Sequence, residues 1–235
     1  MDLPVDSASF RFRANRIEYM LEHFSHYLFG EVLDVGCDKG ILRNLLPKKS
    51  VYLGIDVAGE PDIHVDLESI DRLPFEDNRF DVVVCTDVLE HLDNLHQIFA
   101  ELIRVSRQYL IISLPNSWAV ARRAIARGRG EICHYGLPVQ PPKDRHKWFF
   151  NLSDAKSFLE EQAHLLSYTI VEMRATEKPR PFILNCLLRL LSGSKERYLN
   201  RFAHTLWAVL EKSHSIDKVA GRPKGGDSNN NKVLN

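Results

Sequence analysis

At 235 residues the chain is long enough for one α/β domain with a sizeable buried core plus peripheral decorations. Lys plus Arg equals Asp plus Glu at 31 each, so no global field favours nucleic acid or an anionic membrane. The four cysteines are scattered, without C-x-x-C or metal-like spacing; the start lacks a basic and apolar leader, and no stretch approaches the roughly 20 apolar residues of a membrane span. The composition therefore points to a reduced cytoplasmic protein with no metal site.

Residues 1–28 read as an N-terminal helical cap, with a helix over 7–28 started by Ser7 or Ser9 and an apolar face of Phe12, Ile17, Met20, Leu21 and Phe24. Its arginines, Arg11, Arg13 and Arg16, read as a solvated face in preference to a substrate contact. Val32–Val35 is a short apolar run interrupted by Asp34, as expected of a central strand. Gly36 and Gly40 bracket a turn, Ile41–Leu46 resumes with helical spacing, and Pro47 stops it. Val51–Ile55 is a second apolar run and ends in Asp56. A strand, glycine turn, helix, strand unit with carboxylates about 20 residues apart is the pattern of nucleoside-binding α/β folds, in which Asp56 can accept from both ribose hydroxyls. The turn lacks the G-x-G-x-x-G spacing of a dinucleotide fingerprint, which disfavours a nicotinamide-dependent oxidoreductase.

Asp62–Leu67 reads as a short strand and its exit, and Val82–Cys85 as the next buried strand, followed by Thr86-Asp87-Val88-Leu89-Glu90-His91-Leu92. The acid two residues before the glycine turn and the segment Phe80–Leu92 together resemble class I S-adenosylmethionine-dependent methyltransferases, in their small-molecule, type 11-like branch. The matched segments cover roughly residues 29 to 116, with weaker similarity to about 213. The resemblance implies a Rossmann-like, doubly wound, mostly parallel sheet with an antiparallel last strand and helices on both faces. It implies S-adenosyl-L-methionine as cofactor, bordered by Asp34, Gly36, Cys37, Gly40, Asp56, Val57, Asp66, Leu67, Thr86 and Asp87. Asp66 would accept from the adenine amine and Leu67 would cover a ring face, unless Asp66 only caps the following turn. Asp38 stands where the family usually has glycine.

His91 reads as a general base, a substrate contact or a partner that fixes its loop. Asp93 can cap the helix carrying Leu95, Ile98, Phe99, Leu102 and Ile103, and Gln108–Leu114 is the following strand. Residues 117–150 form an insertion with a basic cluster of Arg122, Arg123, Arg127 and Arg129 that suits an anionic acceptor or a solvated helix face. His134 and His146 in the same insertion are further base candidates. Ser153 starts a helix to about Gln162, Leu166–Met173 reads as a strand, and Thr205–Glu211 as the last one. A second insertion, 176–203, contains the apolar run 182–191, read as packing or a homodimer contact in preference to a lipid surface. Residues 214–235 read as a disordered tail, leaving 29–213 as the methyltransferase domain. The functional expectation is O- or N-methylation of a small-molecule, glycan- or lipid-linked acceptor, not nucleic acid. The alternative is a catalytically silent scaffold that retained the fold.

Overall fold

The structure, a computed structural model, describes residues 3–140, 142 and 144–213. The expected tail, 214–235, lies outside the described residues. Eight strands form one sheet in the order β1-β7-β8-β6-β5-β2-β3-β4. They are β1 (Val5–Ser7), β2 (Glu31–Val35), β3 (Val51–Asp56), β4 (Ile63–His64), β5 (Phe80–Thr86), β6 (Ser106–Pro115), β7 (Tyr168–Glu177) and β8 (Ala203–Lys212). All pairings are parallel except those of β8, which runs antiparallel to both β6 and β7. The mostly parallel sheet with an antiparallel last strand agrees with the expectation.

The central strands are apolar on both faces because helices cover both. Leu33, Val83 and Cys85 point to one side, onto Ile98, Phe99 and Leu102 of α2 (Leu95–Val105) and Leu159 of α4 (Leu152–Leu166). Val32, Val82 and Val84 alternate to the other, where Ile17, Met20 and Phe24 of α1 (Arg13–Phe24) pack with Trp207. The chain leaves β2 outward to β3 and β4, then returns to β5 and β6 on the other side. Ligands of such sheets bind beyond the carboxyl ends of the strands at this reversal.

Several local expectations are corrected. The N-terminal helix starts at Arg13 with Phe12 as its N-cap, and Val5–Ser7 joins the sheet edge beside β7. Only Ile41–Asn44 coils after the glycine turn, as one 3₁₀ turn, because Pro47 leaves too few residues to nucleate an α-helix. Asn151, and not Ser153, caps α4, in a reciprocal pair with Asp154 (3.0 Å each way). Asp93 caps nothing at α2, whose N-cap is Asn94; its carboxylate pairs with Lys147 instead, at 2.8 Å.

The insertion after β6 folds as α3 (Ser117–Arg127) followed by irregular chain that returns to the sheet. Lys147 N–H donates to Glu90 O (2.8 Å) and the Trp148 indole donates to Leu92 O (2.7 Å), pinning it over the β5 exit. The apolar run forms α5 (Phe182–Ser192), followed by α6 (Lys195–Phe202). Packing within the chain does not absorb α5: Phe182 and Ile183 are each 82% exposed and Leu190 is 78% exposed. Among the described residues no helix is long and apolar enough to cross a membrane.

Candidate functional site

The glycine turn leaves β2 with Gly36 at φ +78° and Gly40 at φ +61°, both in the left-handed region. A Cβ at Gly36 would stand 2.3 Å from Val88 Cγ2, so any side chain there collides with the loop after β5. Asp38 takes φ +50°, a conformation that Asp tolerates better than most residues but that glycine adopts freely. Cys37 is buried, and burial with the nearby Asp34 carboxylate pushes its thiol up to about 11, so it is a packing residue and not a nucleophile.

The three strand-end carboxylates are held in different ways. Asp34, 5% exposed, accepts from the Tyr52 hydroxyl at 2.9 Å, and burial raises its pKa to about 6. Asp56 accepts from the backbone amides of Asp38 (2.8 Å) and Ala58 (3.0 Å). A carboxylate offers about four lone-pair positions, so Asp56 retains capacity for two ribose hydroxyls. Asp87, at φ +51°, is fixed by Ser113 Oγ (2.6 Å) and by Arg16 Nε (2.6 Å). Val57, beside Asp56, is exposed and apolar, as a surface for a flat ring requires. Asp66 accepts from Glu68 N (3.1 Å) and Ser69 Oγ (2.5 Å), capping the next turn, and Leu67 is buried in the core beside it. Thr86 ends β5 next to Asp87. Asp56, with acceptor capacity to spare, and the exposed apolar face of Val57 fit the demands of a ribose and a flat ring, while the missing side chain at Gly36 makes room for Val88.

Arg11 and Arg13 stay exposed, as expected of a solvated face, whereas Arg16 is half-buried. Arg13 donates to Gly36 O at 3.0 Å and its guanidinium lies 4.0 Å from the Asp38 carboxylate, while Arg16 closes on Asp87. The helix thus roofs the glycine turn, and Arg13 is placed to meet a ligand carboxylate there. Sequence periodicity put these residues on a polar face without showing that the face borders the glycine turn.

The three candidate histidines come together although they are far apart in the chain. His134 stacks on His146 with ring centroids 4.4 Å apart, and His91 meets His146 edge-on at 4.5 Å. Asp144 bridges the group, at 2.8 Å from His91 Nδ1 and 3.3 Å from His134 Nδ1. Burial, and then the neighbouring imidazoles, lower His146 to about 4; burial also lowers His91. Glu90, 1% exposed, lies beneath, and its burial, then the Asp87 carboxylate, push its carboxyl well above the usual range. The cluster walls a cavity of 310 Å³ at the exits of β5 and β6, shared with Arg16 and Asp87. A second cavity of 200 Å³ adjoins it across Val120, Lys178 and His204. Arg122, Arg123, Lys178, Arg180 and Arg201 line this second cavity with no carboxylate among its walls, and burial, then repulsion from the neighbouring arginines, lowers the pKa of Arg122.

A family model described as "Methyltransferase domain" matches residues 9–163, so the chain belongs to that methyltransferase family. The ubiquinone biosynthesis O-methyltransferase of Sodalis glossinidius is 29% identical over 155 residues, covering 53% of this chain and 61% of the relative. That of Pasteurella multocida is 28% identical over 109 residues, 36% of this chain and 45% of the relative, so the matches span only about half the length of these curated relatives. Among solved structures, an S-adenosylmethionine-dependent methyltransferase from Archaeoglobus fulgidus superposes with a TM-score of 0.54 at 16% identity, over 86% of this chain and 96% of that one. A putative methyltransferase from Bacillus halodurans gives 0.51 at 15% identity, over 84% and 99%. These two show the shared class I fold.

Proposed function

We propose that the chain is an S-adenosylmethionine-dependent methyltransferase that methylates an oxygen or nitrogen of a small-molecule, glycan- or lipid-linked acceptor carrying an anionic group. The observation that carries the reading is the meeting, at one reversal of the sheet, of the glycine turn, the Asp56 carboxylate and a cavity walled by His and Glu side chains. When bound, the cofactor supplies an electrophilic sulfonium methyl whose transfer leaves a neutral thioether.

The chain's own residues then have mainly a positioning task, because no departing charge has to be stabilised. Asp56 receives the ribose, Gly36 admits the amino-acid moiety, and Arg13 pairs with its carboxylate. Asp34, Cys37, Gly40, Val57, Asp66, Leu67, Thr86 and Asp87 complete the cofactor border. His91, His134 and His146 face the acceptor atom, and α1 with the pinned 144–150 segment excludes water. The adjoining basic cavity, with five cationic side chains, is the seat for a phosphate or carboxylate of the acceptor. The relatives named as ubiquinone biosynthesis O-methyltransferases support a small-molecule acceptor over nucleic acid. A silent scaffold is the competing reading, favoured by Asp38 at φ +50° and by the 57–60 loop, where Glu60 N–H donates to Asp38 O at 2.7 Å and closes on the turn.

Titration calorimetry with S-adenosylhomocysteine decides between them. Micromolar binding is expected, weakened at least tenfold by Asp56→Ala and by Gly36→Val. No binding at millimolar ligand, or an affinity unchanged in both folded variants, refutes the assignment.

A further inference from the structure

Glu90 is the least explained side chain of the site. It is fully buried, and its Oε2 has no hydrogen-bond partner. A buried carboxyl oxygen left unpaired in a native fold is rare and calls for a physical reason. What Glu90 faces instead is a pair of imidazoles: one ligating atom each from Glu90, His91 and His146 all lie within 4.8 Å of one another.

Both imidazoles are oriented from behind. Asp144 Oδ1 lies 2.8 Å from His91 Nδ1, and His91 Nε2 lies 3.8 Å from Glu90 Oε1. Tyr135 hydroxyl gives its proton to Trp148 O at 2.8 Å, so toward His146 Nδ1, 3.1 Å away, it can only accept. With Nδ1 as the donor, His146 Nε2 is the nitrogen free to bind an ion. Fixing a tautomer through a hydrogen bond to the far ring nitrogen is how proteins prepare histidines for a metal. Bonds of about 2.0–2.2 Å to nitrogen and oxygen bring such ligands to roughly 3–3.5 Å apart, which side-chain rotation can supply from the present spacing.

From this geometry we infer that Glu90, His91 and His146 form a binding site for a divalent first-row transition-metal ion at the floor of the acceptor cavity. Two imidazoles and one carboxylate favour such an ion over Mg²⁺ or Ca²⁺, which prefer all-oxygen shells. Three protein ligands leave coordination positions open, and these face the 310 Å³ cavity, where an acceptor hydroxyl or water can occupy them. Its role rests on the methyltransferase reading: the ion holds the acceptor oxygen and favours loss of its proton, the O–H bond breaking with the electron pair kept on oxygen and the proton passing to solvent. The binding of the ion itself does not depend on that reading.

The test uses untagged, chelator-treated full-length protein titrated calorimetrically with Zn²⁺ and, in parallel, with Co²⁺ followed by its visible absorption, with Mg²⁺ for comparison. The expected result is one Zn²⁺ or Co²⁺ per chain at micromolar or lower Kd, with Mg²⁺ at least a hundredfold weaker. Glu90→Gln and His146→Gln are each expected to weaken Zn²⁺ at least tenfold while leaving S-adenosylhomocysteine affinity within twofold. Should Glu90→Gln not fold, His91→Asn, at a partly exposed position, replaces it. No saturable Zn²⁺ or Co²⁺ binding, or binding that these variants leave unchanged, overturns the site. Metal bound without any S-adenosylhomocysteine affinity sustains the site and sinks the enzymatic reading, so the two failures are distinct.

Discussion

At the scale of single residues, Asp34 shows what the fold gives up at its ligand edge. Its carboxyl is 5% exposed and its pKa stands at about 6, above the ordinary 3.8, because burial outweighs the hydrogen bond from Tyr52. The folded chain therefore holds this proton more tightly than the unfolded chain does. The stability gained is complete below about pH 4 and is lost as pH rises through about 6, after which a buried carboxylate weighs on the fold by about 3 kcal/mol. Asp34→Asn removes that dependence while keeping an oxygen for Tyr52. In urea unfolding it is expected to match the parent at pH 4 and exceed it by about 2–3 kcal/mol at pH 8. A difference that stays flat between those values would contradict the assignment. Positive φ at Asp38 and Asp87, both beside the turn or the β5 exit, belongs to the same pattern of local cost gathered at one edge.

At the scale of elements, Asn116 is the joint between the sheet and the insertion. It is fully buried; its carbonyl caps α3 through the amides of Trp118 (3.1 Å) and Ala119 (3.3 Å). Its amide group donates to Asn200 O (3.0 Å) and Ala203 O (2.7 Å), tying α3 to α6 and β8. Asn116→Ala strands buried carbonyls and removes a cap together, so a loss of about 2–4 kcal/mol is expected in denaturant unfolding. A change below about 0.5 kcal/mol would show that the joint relaxes without it. The central strands were legible because apolar runs ending in acids are what a sheet covered on both faces imposes. The helix after the glycine turn was misjudged because helical spacing does not reveal how few residues Pro47 leaves. His91, His134 and His146 were each visible as candidates, but their union was not. It depends on hydrogen bonds between residues far apart in the chain, Lys147 N–H to Glu90 O among them. Asp144, Tyr52 and the contacts of Arg13 and Arg16 at the glycine turn and Asp87 carried no sequence signal beyond residue type, and the burial of Glu90 carried none at all.

At the scale of the whole molecule, α5 turns an apolar stripe outward. Phe182, Ile183, Leu187, Leu190 and Leu191 recur with helical spacing and are 49–82% exposed, whereas Leu188 turns inward against the core. Contiguous apolar surface of this kind is seldom left bare on a monomer. A second copy is the expected occupant, because a two-fold contact places the same stripe on both sides and leaves no unmatched face. An 11-residue helix is only about 16 Å long, so α5 alone falls well short of the roughly 800 Å² per partner of a stable complex. Association should therefore be weak, with a monomer–dimer equilibrium in the micromolar range or above. Sedimentation velocity across a concentration series is expected to show it. Ile183→Glu with Leu190→Glu should abolish it without lowering the melting temperature, since neither side chain is buried in the monomer. A monomer at every concentration, or a dimer indifferent to both charges, would free α5 of that role.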